Sequence, residues 1–145
     1  MPFCILQLKC IVMLVPCEVA VKCVLPAVRA TIAEELMTKH KLKQVETAKL
    51  LGVSQPAISL YFRKKRGKAI DLKNESDITN LIENLAASLA KGNLPPKDFI
   101  SMFCEICSTI REKGLMCKLH KVFDPTIDIE KCGICQLITV GWCRK

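Results

Sequence analysis

A chain of 145 residues, half of them apolar, can bury a packed core and has room for one domain or two very small ones. Its net charge of +8 is unevenly placed: residues 1–75 hold 13 Lys/Arg against 6 Asp/Glu, whereas residues 76–145 hold 9 against 8. A charge kept only for solubility does not explain that asymmetry, and a polyanion bound by the first half does.

The opening MPFCILQLKCIVMLVPC is apolar, but Gln7, Lys9, Glu18 and Lys22 interrupt the surrounding stretch. A spanning helix needs a run of roughly 18 to 20 apolar residues, so no membrane segment is expected here. No small-residue cleavage site follows, which argues against a signal peptide. Residues 1–15 read as an N-terminal extension, with Met13 the natural beginning of the chain.

Residues 16–24, PCEVAVKCV, alternate weakly between polar and apolar and predict a short strand or an extended arm. Pro26, with φ fixed near the helical value, suits the first turn of a helix running to about His40. Val28, Ile32, Leu36 and Met37 give that helix one apolar stripe, with Glu34, Glu35 and Lys39 outside it.

The next helix spans about Gln44 to Leu51. Gly52 can take the positive φ of a turn, and Val53 plugs the corner. Ser54 is suited to cap a second helix, with Pro56 in its first turn and Ile58 and Tyr61 facing inward. This leaves Ser54, Gln55, Ala57, Ser59 and Leu60 at or near an outward N-terminal end. Such a pair of helices is the helix-turn-helix pattern, whose second helix enters the major groove of double-stranded DNA. Gln55 is suited to read adenine through its amide, Ala57 to touch a thymine methyl group, and Ser59 to reach a base or phosphate. Arg63, Lys64, Lys65 and Arg66 close the second helix and are expected on phosphates, as is Gln44 at the start of the first.

PCEVAVKCVLPAVRATIAEEL followed by KQVETAKLLGVSQPAISLYFRKKRGKA resembles the archaeal transcriptional regulators with a Cro/repressor-type (XRE) helix-turn-helix. It is also similar to the DNA-binding half of archaeal regulators fused to a thiamine-phosphate-synthase-like domain. The resemblance covers residues 16–70 and marks them as a DNA-binding domain. The 145 residues are too few for the fused domain, and the chain looks instead like the short members that end in a cysteine-rich tail. Residues 1–12 do not fit the family. The resemblance implies a cytoplasmic regulator that binds a metal or an iron–sulfur cluster.

Residues 71–145 read as a helical hairpin with a cysteine-rich module. After the polar linker KAIDLKNE, Ser76 opens a helix to Lys91 with Ile78, Leu81, Ile82, Leu85 and Leu89 in one stripe. Pro96 opens another, with Phe99, Ile100, Phe103, Ile106 and Ile110 apolar, ending at Gly114.

Of the ten cysteines, Cys104 and Cys107, Cys117 with His120, and Cys132 and Cys135 each stand three residues apart. In a reducing compartment such pairs are ligands or sensors before they are disulfides. Cys104 and Cys107 share a helix face, whereas Cys132-Gly-Ile-Cys135 reads as a tight loop. Four of Cys104, Cys107, Cys117, Cys132 and Cys135 can hold zinc or an iron–sulfur cluster, with the cluster slightly favoured. His120 is an alternative ligand, Cys143 beside Trp142 is accessory, and Cys17 and Cys23 are expected as small buried hydrophobes. No nucleophile–base pair or phosphate loop appears, so the sequence does not read as an enzyme. The expected protein is an all-α regulator working as a homodimer on two half-sites of an operator.

Overall fold

The computed structural model describes residues 14–137, whose regular structure is all helical, with no strand among them. Residues 1–13 and 138–145, and with them the expected start at Met13 and the accessory Cys143, lie outside the described residues.

The chain enters through α1 (Pro16–Val19), a π-helical turn (Ala20–Val24) and α2 (Leu25–Thr38). The strand or arm expected over residues 16–24 is therefore a helix. Burial of Val19, Cys23 and Val24 overrides the weak preference of this valine-rich stretch for extended backbone. Pro26 lies inside the helical run and not at its start. Its ring would crowd the carbonyl four residues back, and it has no N–H to offer there. The wider turn just before it accommodates the proline, with Leu25 N–H donating to Ala20 O.

Beyond a short loop come α3 (Gln44–Leu51) and α4 (Gln55–Phe62). Gly52 ends α3 at φ +63°, and Val53 N–H returns to Ala48 O at 3.0 Å, which turns the chain sharply. Ser54 then caps α4, its Oγ accepting from Ala57 N–H at 3.3 Å. The second half holds α5 (Ser76–Ala90) and α6 (Pro96–Glu112), followed by the short α7 (Cys117–Phe123), α8 (Ile129–Cys132) and α9 (Ile134–Leu137).

One core runs through both halves. Val28, Ile32 and Leu36 of α2 share it with Ile58 of α4, Ile82 and Leu85 of α5, and Ile106 and Ile110 of α6. Each such side chain, fully buried, stabilises the fold by roughly 1.5–3 kcal/mol. α2 is the common wall, packing on α3, α4, α5 and α6. Ion pairs tie the same elements at the surface: Lys39 to Glu83 across α2 and α5 at 2.6 Å, and Lys113 to Asp77 across α6 and α5 at 2.7 Å. Ile100, expected among the apolar positions of its helix, is 57% exposed.

Candidate nucleic-acid interface and thiol module

The turn after α3 brings the N-terminal ends of two helices side by side. Gln44 is the first residue of α3 and Gln55 the first of α4. Gln55 Nε2 donates to Gln44 Oε1 at 2.7 Å. That contact leaves Gln55 one amide hydrogen and its carbonyl oxygen, the donor–acceptor pair that an adenine edge requires. Ser54 and Gln55 are exposed, and Ser59, one turn further on, is half-buried.

Ala57 does not join them. It is only 7% exposed, because Ala57 and Tyr61 stand four apart on the face of α4 that meets the core. The outward position expected for it, and the thymine contact built on that, are therefore corrected. Leu60 does face outward.

The basic run also sits differently from the expectation that it closes the second helix. α4 ends at Phe62, and Arg63 is already its cap. Lys64 takes φ +54°, its N–H donates to Tyr61 O, and Lys65 N–H reaches back to Leu60 O at 2.9 Å. This is the Schellman pattern, with a lysine where glycine is usual. Arg63, Lys64, Lys65 and Arg66 are consequently exposed on a turn and not along a helix. Arg63 Nε donates to Ser59 O at 3.4 Å, and the Arg66 guanidinium lies 5.6 Å from the centre of the Tyr61 ring.

Gly67 fixes where this turn goes. A Cβ there would stand 2.5 Å from Pro26 O and 2.6 Å from the Ala30 Cβ, and the residue has φ +73°. Only glycine lets the basic turn close onto α2. Beside that seat, Tyr61, Lys64, Arg66 and Lys68 border an open cleft with Glu34 and Asp71.

The cysteines fall into two groups. Cys135 and Cys132 lie near Cys117, whose thiol is pushed up by burial first and then by these two neighbours. Gly133, in the left-handed region, separates α8 from α9, so the expected loop between Cys132 and Cys135 is two short helical turns. Cys104 and Cys107 stand one turn apart on α6. Burial, then the neighbouring Cys104, drives the Cys107 thiol up to about 12, against the opposing pull of Arg29 and Arg111. Cys23 is buried, as expected for a small hydrophobe, whereas Cys17 is exposed.

Thiolates are the right donors for zinc or an iron–sulfur cluster. As the side chains stand, however, no three His, Cys, Asp or Glu among the described residues converge closely enough to hold a metal ion. His120 is buried, and its Nε2 meets the Leu14 carbonyl, which gives that nitrogen a structural partner in place of a metal.

Two residues that sequence patterns did not single out stand beside the Cys104–Cys107 pair. Arg29 of α2 lies over the Phe103 ring, 5.8 Å from its centre. Arg111 of α6 keeps its Nε and Nη2 buried without a hydrogen-bond partner. Its spacing four residues after Cys107 was the available signal.

No helix among the described residues is long and apolar enough to cross a membrane. Comparison of the chain with protein-family models, with curated proteins and with solved structures gives no match in any of the three.

Proposed function

We propose that this chain is a sequence-specific regulator of transcription that binds double-stranded DNA through α3, α4 and the basic turn after them. The observation that carries this reading is the hydrogen-bonded pair of half-buried Gln44 and exposed Gln55 at two adjoining helix N-termini, followed by four exposed cations. In the Cro/repressor-like (XRE) arrangement that the sequence resembles, α4 lies in the major groove, Gln55 reads a base, and Ser54 and Ser59 add contacts. Gln44, Arg63, Lys64, Lys65 and Arg66 hold phosphates, whose positive partners release counterions on binding. The chain acts in the cytoplasm as a homodimer on paired half-sites.

The cysteine module gives the regulator something to sense. Cys132 and Cys135 lie near Cys117, and α9, which carries Cys135, lies against α6, which carries Cys104 and Cys107. Drawing these elements together completes a four-thiolate site for zinc or an iron–sulfur cluster. A metal bound there would staple a small module and alter the supports of the DNA-binding helices. A purely structural zinc site is the second reading, favoured by the few buried residues in α7, α8 and α9.

Selection of bound duplexes from a random DNA library, followed by titrations over a range of salt, tests the proposal. The expected result is an enriched motif with affinity falling steeply with salt. Recovery of no motif and salt-insensitive binding would reject it in favour of a metal-handling protein that uses α3 and α4 for protein contacts.

A further inference from the structure

Behind the basic turn, between α2 and the linker that leads to α5, lies a cleft of about 210 Å3. Pockets for drug-sized ligands run to roughly 300–1,000 Å3, so this one suits a smaller molecule. Its walls are held in place from both sides. Gly67 seats the basic turn against Pro26 and Ala30 of α2. On the linker, Leu72 is buried in the core, and Lys73 Nζ donates to Glu34 Oε1 of α2 at 2.7 Å. Lys73 N–H also donates to Asp71 Oδ1 at 3.0 Å. The two carboxylates that border the cleft are thus engaged in holding its linker wall.

The cations on the opposite wall are not so engaged. Lys64, Arg66 and Lys68 all line the cleft, and none of them forms an ion pair among the described residues. Tyr61 adds a buried donor. It is only 5% exposed and lines the same cleft, yet its hydroxyl makes no hydrogen bond among the described residues. A buried phenol ordinarily has a partner, and an acceptor entering the cleft would supply one. Three cations and one neutral donor make a set that suits an oxyanion.

We infer that this cleft binds a small oxyanion, a phosphate ester or a carboxylate, and that the bound anion lowers affinity for DNA. Lys64, Arg66 and Lys68 balance its charge, and the Tyr61 hydroxyl donates to it. A DNA strand is a poorer occupant, because Glu34 and Asp71 repel a continuous run of phosphates where a compact anion can keep to the cationic wall. Occupancy engages Lys64 and Arg66, two of the cations assigned above to the DNA backbone. Release of DNA therefore rests on the DNA-binding reading, whereas the anion site does not.

Tyr61 is the one tyrosine of the chain, so tyrosine labelled with 13C at the ring carbon that bears the hydroxyl reports on the cleft by a single NMR signal. The full chain is titrated with glycerol phosphate and, separately, with malate, against chloride at equal ionic strength. At least one of the two is expected to move the signal saturably where chloride does not, and the pair distinguishes a phosphate ester from a carboxylate. By calorimetry, affinity for that anion should fall about tenfold in Tyr61→Phe, which keeps the ring, and less in Lys68→Gln. Both variants should melt like wild type and bind duplex as wild type does when no anion is present. Saturating anion should weaken duplex binding by wild type about fivefold or more, and by Tyr61→Phe at the same concentration much less.

No saturable shift beyond that of chloride would overturn the inference. Saturable binding that neither variant weakens would place the anion elsewhere and overturn it too. A duplex that alone moves the Tyr61 signal to the anion-bound position would make the cleft a seat for DNA phosphate and reject the small molecule. Anion binding in the cleft with duplex affinity unchanged would reject the release of DNA and uphold the site. If wild type binds no duplex at all, the DNA-binding reading fails, and the titration still decides the site on its own.

Discussion

Gln55 and Gln44, eleven residues apart, share a 2.7 Å hydrogen bond across the turn between α3 and α4. The bond aligns a side chain suited to a base edge with one suited to a phosphate. Gln55→Ala is expected to remove sequence preference at one position, at a cost of about 1–3 kcal/mol on the best site. Lys65→Ala should weaken all duplexes about equally and lower the salt slope by about one. Competition binding with matched and scrambled duplexes separates the two, and the reverse pattern would show that α4 is not the reading helix.

Lys64 and Gly67 make opposite predictions for stability. Lys64 holds a left-handed conformation that glycine adopts without strain. Lys64→Gly should therefore gain up to about 1 kcal/mol in folding stability while weakening DNA binding. Gly67→Ala should cost about 2–4 kcal/mol, since the added carbon meets α2 and the conformation is strained. Urea denaturation of the three proteins checks both signs.

Lys113 reaches Glu75 and Asp77 from the end of α6. The Lys113 hydrogen bond holds the Asp77 carboxyl below its ordinary range, and the two acids hold the Lys113 ammonium above its own. The Asp77 contribution is present above the ordinary carboxylate value and is lost as pH falls through the lowered one. The Lys113 contribution is present below the ordinary ammonium value and is lost as pH rises through the raised one. Lys113→Met should flatten the stability profile at both extremes, and both groups are exposed enough that the change should be small. Melting temperatures from pH 2 to 11 measure it.

Cys107 should resist alkylation. Its thiol, pushed up to about 12, holds almost no thiolate at pH 8, and thiolate is the reactive form. In the folded, metal-free protein, iodoacetamide is expected to label exposed Cys17 well before Cys107, as read by peptide mass spectrometry. Equal labelling would mean that Arg29 and Arg111 stabilise the thiolate more than burial opposes it.

Local chemistry made most of the helices legible. Ser54, Gly52, Pro96 and Gly92 each punctuate the chain where backbone preference is strong, and the bounds of α3, α5 and α6 and the start of α4 follow from them within a residue or two, whereas α4 ends at Phe62, before the basic run expected to close it. What stayed hidden depends on distant partners. Residues 16–24 coil because Val19, Cys23 and Val24 find a core, which no local pattern reveals. Ala57 is small enough to suit either face, and only its spacing to Tyr61 places it inside. Pair spacing suggested one cysteine centre, but whether Cys104 and Cys107 meet Cys117, Cys132 and Cys135 depends on how α6 and α9 pack. Arg29 lies far from the cysteines in sequence, so its approach to Cys107 had no local signal at all.

Residues 26 to 30, barely more than one turn of α2, touch both halves of the proposed mechanism. Pro26 and Ala30 seat the glycine that ends the basic turn, while Arg29 faces Phe103 and Cys107. A helical turn rises only about 5.4 Å. Any signal from the thiols to the proposed DNA-binding surface therefore has almost no distance to travel: a roll of this one turn shifts a lysine-rich rim and a guanidinium at once, like a key whose two edges engage different wards.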